Sequence, residues 1–155
     1  MDRTMETLVR IAKTEFDGES LMGTAFLPYV KSLPFDKVVN DNTNGGYTVW
    51  GVTLHVLFHK CLTIQLVGGQ TGLEPFPYEA ADWPALPERQ DEEGWRRLLE
   101  DLELVHKNFI MALENFPMDR WDEVLPEWKC TVGQVMDCIA CHDMYHVAQI
   151  RNMGI

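Results

Sequence analysis

The chain has 155 residues, 46% of them hydrophobic and 24% charged, the balance of a folded chain and not a disordered one. Its length fits one domain, 1–155, able to bury a core without a disulfide or metal staple. Thirteen Lys and Arg against 24 Asp and Glu give a net charge of -11, which repels phosphate backbones and anionic bilayers, so neither nucleic acid nor membrane is an expected partner.

The first residues, Met1-Asp2-Arg3-Thr4-Met5-Glu6, lack the basic start and apolar run of a signal peptide. A cytoplasmic location is the default expectation. Cys61, Cys130, Cys138 and Cys141 are then read as reduced thiols. Residues 4–16 have helical periodicity through Met5, Leu8, Ala12 and Phe16. Residues 21–33 also look helical, but Gly18, Gly23 and Pro28 interrupt the pattern, giving one kinked helix or two short ones. Residues 34–47, with Asp41-Asn42-Thr43-Asn44-Gly45-Gly46, read as a linker.

Over residues 48–66, Val52, His55, His59, Leu62 and Leu66 recur at spacings of three and four and share one helical face. Leu54, Leu57, Phe58, Cys61 and Ile64 make the other side apolar too, which predicts a central helix ended by Gly68-Gly69. Residues 68–90 form a long loop with Pro75, Pro77, Pro84 and Pro87 and the aromatics Phe76, Tyr78 and Trp83. Such a loop either shapes a binding site or plugs one end of the helices.

Residues 91–115 carry Trp95, Leu98, Leu102, Val105, Phe109 and Leu113 on one stripe and charges on the other, with Asp91 as the N-cap. His106 falls beside that stripe among charged neighbours and is expected at the surface. A last helix is predicted over residues 131–153, with Thr131 as its cap and Val135, Ile139, His142, His146, Gln149 and Met153 on one face. No segment shows the alternation of a strand.

Four of the five histidines form two His-x-x-x-His pairs, His55/His59 and His142/His146. Residues four apart lie one turn apart on one face, so both rings of a pair can approach one cation. Both pairs sit on apolar stripes, where an unpartnered imidazole costs ~1–3 kcal/mol. A shared divalent metal satisfies several rings at once, and His142/His146 needs at least one ligand from another helix. Three imidazoles leave an open, catalytic type of site, and imidazole-rich shells suit zinc, nickel, copper or iron.

Three other motifs compete. Cys138-Ile139-Ala140-Cys141-His142 spells the C-x-x-C-H haem attachment pattern but leaves His146 and the His55/His59 pair unexplained. His142-Asp143-Met144-Tyr145-His146 misses the H-E-x-x-H metalloprotease helix by one methylene and has no downstream third ligand. Cys138-x-x-Cys141 lacks the βαβ setting of a redox pair. Cys138, one turn before His142, either approaches the metal or packs as a small hydrophobe.

Thr48-Val49-Trp50-Gly51-Val52-Thr53-Leu54-His55 resembles the Trp-x-x-x-x-His start of the second helix in the DinB/YfiT-like metalloenzyme family. Ala140-Cys141-His142-Asp143-Met144-Tyr145-His146-Val147-Ala148-Gln149-Ile150 is similar to its last helix, where His-x-x-x-His is followed by Gly/Ala-Gln-Ile/Leu. The resemblance runs from about Thr4 through the chain. It implies an all-α four-helix bundle with the long Pro- and aromatic-rich loop between its second and third helices. It implies one divalent metal, zinc or nickel, on His55, His142 and His146. His59 has no settled place in the family pattern and stays open as a further ligand, as a residue supporting the ligands from behind, or as one hydrogen-bonded deeper in the core.

Some family members transfer a low-molecular-weight thiol to an electrophilic small molecule, and many are homodimers. A cation favours the thiolate form of a coordinated thiol, so the chemistry suits an open three-histidine site. Gln149 is placed to orient a ligand or a water, and Asp143 or Tyr145 to support a ligand or move a proton. Metal-dependent hydrolysis and a non-enzymatic, stress-related metal-binding role are the alternatives, beside a purely structural set of buried histidines.

Overall fold

The computed structural model describes residues 2–155 and is mostly helical, an all-α chain with one two-residue hairpin. Helix α1 (Arg3–Phe16) begins where the Asp2 carboxylate accepts the Thr4 N–H at 2.8 Å, and it buries Met5, Leu8, Ala12 and Phe16. The expected helix over residues 21–33 contracts to α2 (Phe26–Ser32). Gly23 has φ +119°, a conformation only glycine adopts freely, and so ends the possibility of an earlier start. Pro28 falls in the first turn of α2, where its missing N–H removes no helical bond. The linker is shorter than expected because Phe35–Val38 forms a single turn, α3, on which Val38 is buried.

Helix α4 (Val49–Leu66) is capped by Thr48, whose hydroxyl accepts the Gly51 N–H at 2.9 Å. It is buried on nearly all sides and packs against α5, α6 and α7, which explains why its sequence lacks a polar face. Helix α5 (Glu92–Glu114) starts at Asp91, which accepts the Gly94 N–H, and turns Leu98, Leu102, Val105 and Phe109 inward. Helix α1 lies against α5 on one side and against α6 and α7 on the other.

The expected single helix over residues 131–153 is two helices, α6 (Val132–Ala140) and α7 (His142–Arg151). Thr131 and Gln134 form a reciprocal capping box at the start of α6. At Cys141 the N–H reaches back only three residues, to the Cys138 carbonyl at 3.2 Å, and this tight turn separates the helices. A hairpin of Val124–Leu125 (β1) and Cys130–Thr131 (β2) precedes α6, in register Val124 with Thr131, where no strand was expected. Two residues per strand are too few for alternation to register in a sequence. No helix among the described residues is long and apolar enough to cross a membrane.

Candidate metal centre

Helix α4 presents His55 toward α7, which presents His142 and His146 one turn apart. The Nε2 atom of His142 lies 3.2 Å from Nε2 of His55 and 3.0 Å from Nε2 of His146. His55 and His146 are buried, at 6% and 3% exposure, and His142 is half-buried. The proximity of α4 and α7 joins residues 87 apart in the chain.

The other ring nitrogens fix the chemistry of this meeting. Nδ1 of His55 is 2.6 Å from the Asp82 carbonyl oxygen, and Nδ1 of His146 is 2.7 Å from Oε1 of Gln149. Each oxygen is an acceptor, so each Nδ1 carries the proton and donates it. Nε2 of both rings is then a bare lone pair. These two lone pairs converge on His142, whose Nε2 has one in-plane site and can donate to only one of them. Its Nδ1 is buried without any partner. Either tautomer of His142 therefore leaves a nitrogen unsatisfied.

A cation resolves the conflict among the three Nε2 atoms, leaving the Nδ1–H of His142 as the one unpaired group of the three rings. Three nitrogens at ~2.0–2.1 Å from a common ion stand roughly 3.0–3.4 Å apart, and the two spacings seen are of that size. Carbonyl oxygens behind ligating imidazoles are the usual outer support of a histidine metal site. The residues present fit a divalent ion.

Electrostatics keeps the rings neutral and able to coordinate. Burial pushes His142 down to about 2, with the nearby His146, His55 and His59 rings and Lys60 adding to the effect. Burial pushes His146 down to about 4, against the opposing pull of Gln149. His55 is lowered chiefly by burial, while its bond to Asp82 works the other way.

Asp82 and Trp83 lie in the long loop, which covers the histidines. The Trp83 ring stacks on His55, centroids 4.1 Å apart and 16° from parallel. His59 points its Nε2 at Oδ1 of Asp82, 2.7 Å away, with 28% of its side chain exposed. This places His59 at the rim of the site, beside the loop residue that supports His55, and not deeper in the core. His55, His59 and Asp82 also gather potential ligand atoms within 4.8 Å. Nδ1 of His55 is already committed to the Asp82 carbonyl, however, so this group acts as a latch between α4 and the loop.

A cleft of about 440 Å³ opens beside the histidines, walled by Leu62, Val135 and Ile139 and by His55, His59 and His142. A larger hollow of about 550 Å³ lies between α1 and α5 and touches none of the three clustered histidines. Cys138 is exposed on the cleft wall. Gln149 bonds His146, as described, while Tyr145 is 68% exposed.

Asp143 has a different role from the one expected. Its carboxylate is fully buried and accepts a hydrogen bond from Lys60 Nζ at 2.7 Å, with no bond to a histidine. Burial raises the Asp143 carboxyl and Lys60 pulls it back. The sequence reading missed both Lys60 and Asp82. Lys60 was legible only as a cation interrupting an apolar helix.

The expectation for His106 is overturned. It is 6% exposed and stacks on Phe16 with centroids 3.7 Å apart, because α1 covers that flank of α5. Burial, then Lys60 and Lys13, pushes it down to about 2. All four cysteines are free thiols. Comparison of the chain with protein-family models, curated proteins and solved structures found no match.

Proposed function

We propose that this chain is a DinB-like metal protein in which α1, α4, α5 and the α6–α7 pair are the four helices of a bundle. His55, His142 and His146 would hold one divalent ion, zinc or nickel. The observation that carries this reading is the convergence of three Nε2 atoms, two of them left bare by carbonyl oxygens behind the rings.

The activity we propose is transfer of a low-molecular-weight thiol to an electrophilic small molecule. A bound cation would supply the positive charge that favours a thiolate over a thiol at neutral pH. The chain supplies the rest. Asp82 and Gln149 hold the rings in one tautomer, and Trp83 keeps His55 in place. The walls of the cleft are largely apolar and none of its lining residues is Lys or Arg, which suits a neutral, apolar electrophile.

Hydrolysis is the second reading, and His59 favours it. Its bond to Asp82 at the mouth of the cleft is the arrangement of a group that takes a proton from water. A cytoplasmic homodimer completes the proposal, and sedimentation measures that assembly directly.

Two measurements test the function. Protein purified without chelator should carry about one metal ion per chain. Metal-loaded protein should accelerate thiol conjugation to monochlorobimane, and His142→Ala should abolish the acceleration. Metal without conjugation sinks the transferase reading alone. Absence of any metal affinity sinks the site.

A further inference from the structure

Lys60 and Asp143 have no exposed surface to speak of, at 0% and 1% of their side chains. They join α4 to α7, the two helices that carry the clustered histidines. Lys60 lies five residues past His55, and Asp143 directly follows His142. Successive helical residues point ~100° apart, so the pair bridges the helices on the flank of the histidines and not among them. The rings of Phe16 from α1 and Phe109 from α5 hold the ammonium from two sides, their centroids 5.1 and 4.8 Å away. Asp143 Oδ1 is left without a partner. Two observations stand out. A buried ion pair is weak as a source of stability, since apolar residues of similar volume do as well or better. Helix α7 is also set off from α6 by the turn at Cys141, so the helical hydrogen-bond ladder does not run unbroken from one to the other.

We infer that the Lys60–Asp143 pair is a register pin: it sets the sliding and rotation of α7 against α4, and so the approach of His142 and His146 to His55. Both are positioning residues and neither is a ligand. The inference rests on the reading of the three histidines as a cation site. A hydrogen-bonded salt link has a preferred geometry where an apolar contact has none, and the observed alignment brings Nζ onto the carboxylate beside the Phe16 and Phe109 rings.

The test is the double variant Lys60→Met/Asp143→Leu of the full chain, read in three ways. These are the urea midpoint of metal-free protein, the affinity for Zn²⁺ by competition with a chelator, and the visible absorption of the Co²⁺ form. The pin predicts a midpoint equal to or above that of the unaltered chain. It predicts an affinity lowered about tenfold, the low end of what losing a bonded outer support costs, since neither residue bonds a histidine, together with an altered Co²⁺ spectrum. A role in stability alone would move the midpoint and leave the spectrum unchanged. A double variant that folds and binds Zn²⁺ with unaltered affinity and spectrum overturns the pin. If it does not fold, Asp143→Glu keeps the charges but lengthens the link by one methylene. Lowered affinity in that variant supports the pin, and unaltered affinity overturns it. Failure of the unaltered chain to bind Zn²⁺ or Co²⁺ overturns the cation site itself, a result distinguishable from the others because it is measured first.

Discussion

Replacing His106 with Leu should make the metal-free protein less sensitive to acid. The imidazole is stacked on Phe16, and its Nδ1 is buried without a partner. Burial, with Lys60 and Lys13, holds its folded-state pKa at about 2, against ~6.5 in an unfolded chain. Below ~6.5 the unfolded chain takes up a proton that the folded one refuses. The contribution to stability is therefore complete above that pH and is lost progressively as pH falls toward the folded value. At pH 5 the loss spans roughly 1.5 pH units, or ~2 kcal/mol at 1.36 kcal/mol per unit. That is a large share of a total stability of ~5–15 kcal/mol. Leucine takes up no proton. At pH 7 the variant should lie within about 1 kcal/mol of the unaltered chain, because the lost ring stacking is offset by removal of an unpaired nitrogen. Between pH 7 and pH 5 it should lose ~2 kcal/mol less stability than the unaltered chain. Urea unfolding of metal-free protein at the two pH values reads the difference. His142 and His146 are present in both chains, so their acid sensitivity cancels. Equal pH dependence in the two chains would refute the reasoning.

Metal content should rank the histidines: His55→Ala, His142→Ala and His146→Ala should lose the ion, while His59→Ala should keep it and lose only the link to Asp82. Loss in His59→Ala with retention in His55→Ala would show that the wrong α4 histidine was chosen. Gln149→Leu removes the acceptor behind His146 and should weaken Zn²⁺ binding about ten- to hundredfold, measured by chelator competition, with little change in urea midpoint. Gly133→Ala should lower the urea midpoint by an amount equivalent to ~1–3 kcal/mol, since a methyl there would strike the Trp121 ring packed over the start of α6.

The long helices were legible because their signals are local. The caps Asp91 and Thr131 and the inward stripes of α4 and α5 are written within a few residues of where they act. Two His-x-x-x-His pairs on apolar faces likewise carry their own contradiction, an imidazole where leucine belongs. What was not legible depends on partners far away in the chain. The break at Cys141 follows no proline or glycine, so the periodicity of residues 131–153 runs through it unmarked. His106 has charged neighbours in sequence but Phe16 over it in space, and only the docking of α1 reverses its environment.

Asp82 and Lys60 show the same limit at the site itself. The loop could be identified as long and aromatic, but not that a backbone oxygen at Asp82 would choose the tautomer of His55, because a carbonyl has no sequence signature. Lys60 is a charge on a helix with no polar side, and such a charge in a core demands a counter-charge. The candidates within the last helix reduce to Asp143, the one carboxylate beside the histidine pair, and the structure joins them at 2.7 Å. The two imidazole pairs and this salt pair are therefore parts of one arrangement: α4 and α7 each bear a histidine pair and one charge of the link. The same alignment that closes the link also brings the Nε2 atoms of His55, His142 and His146 together.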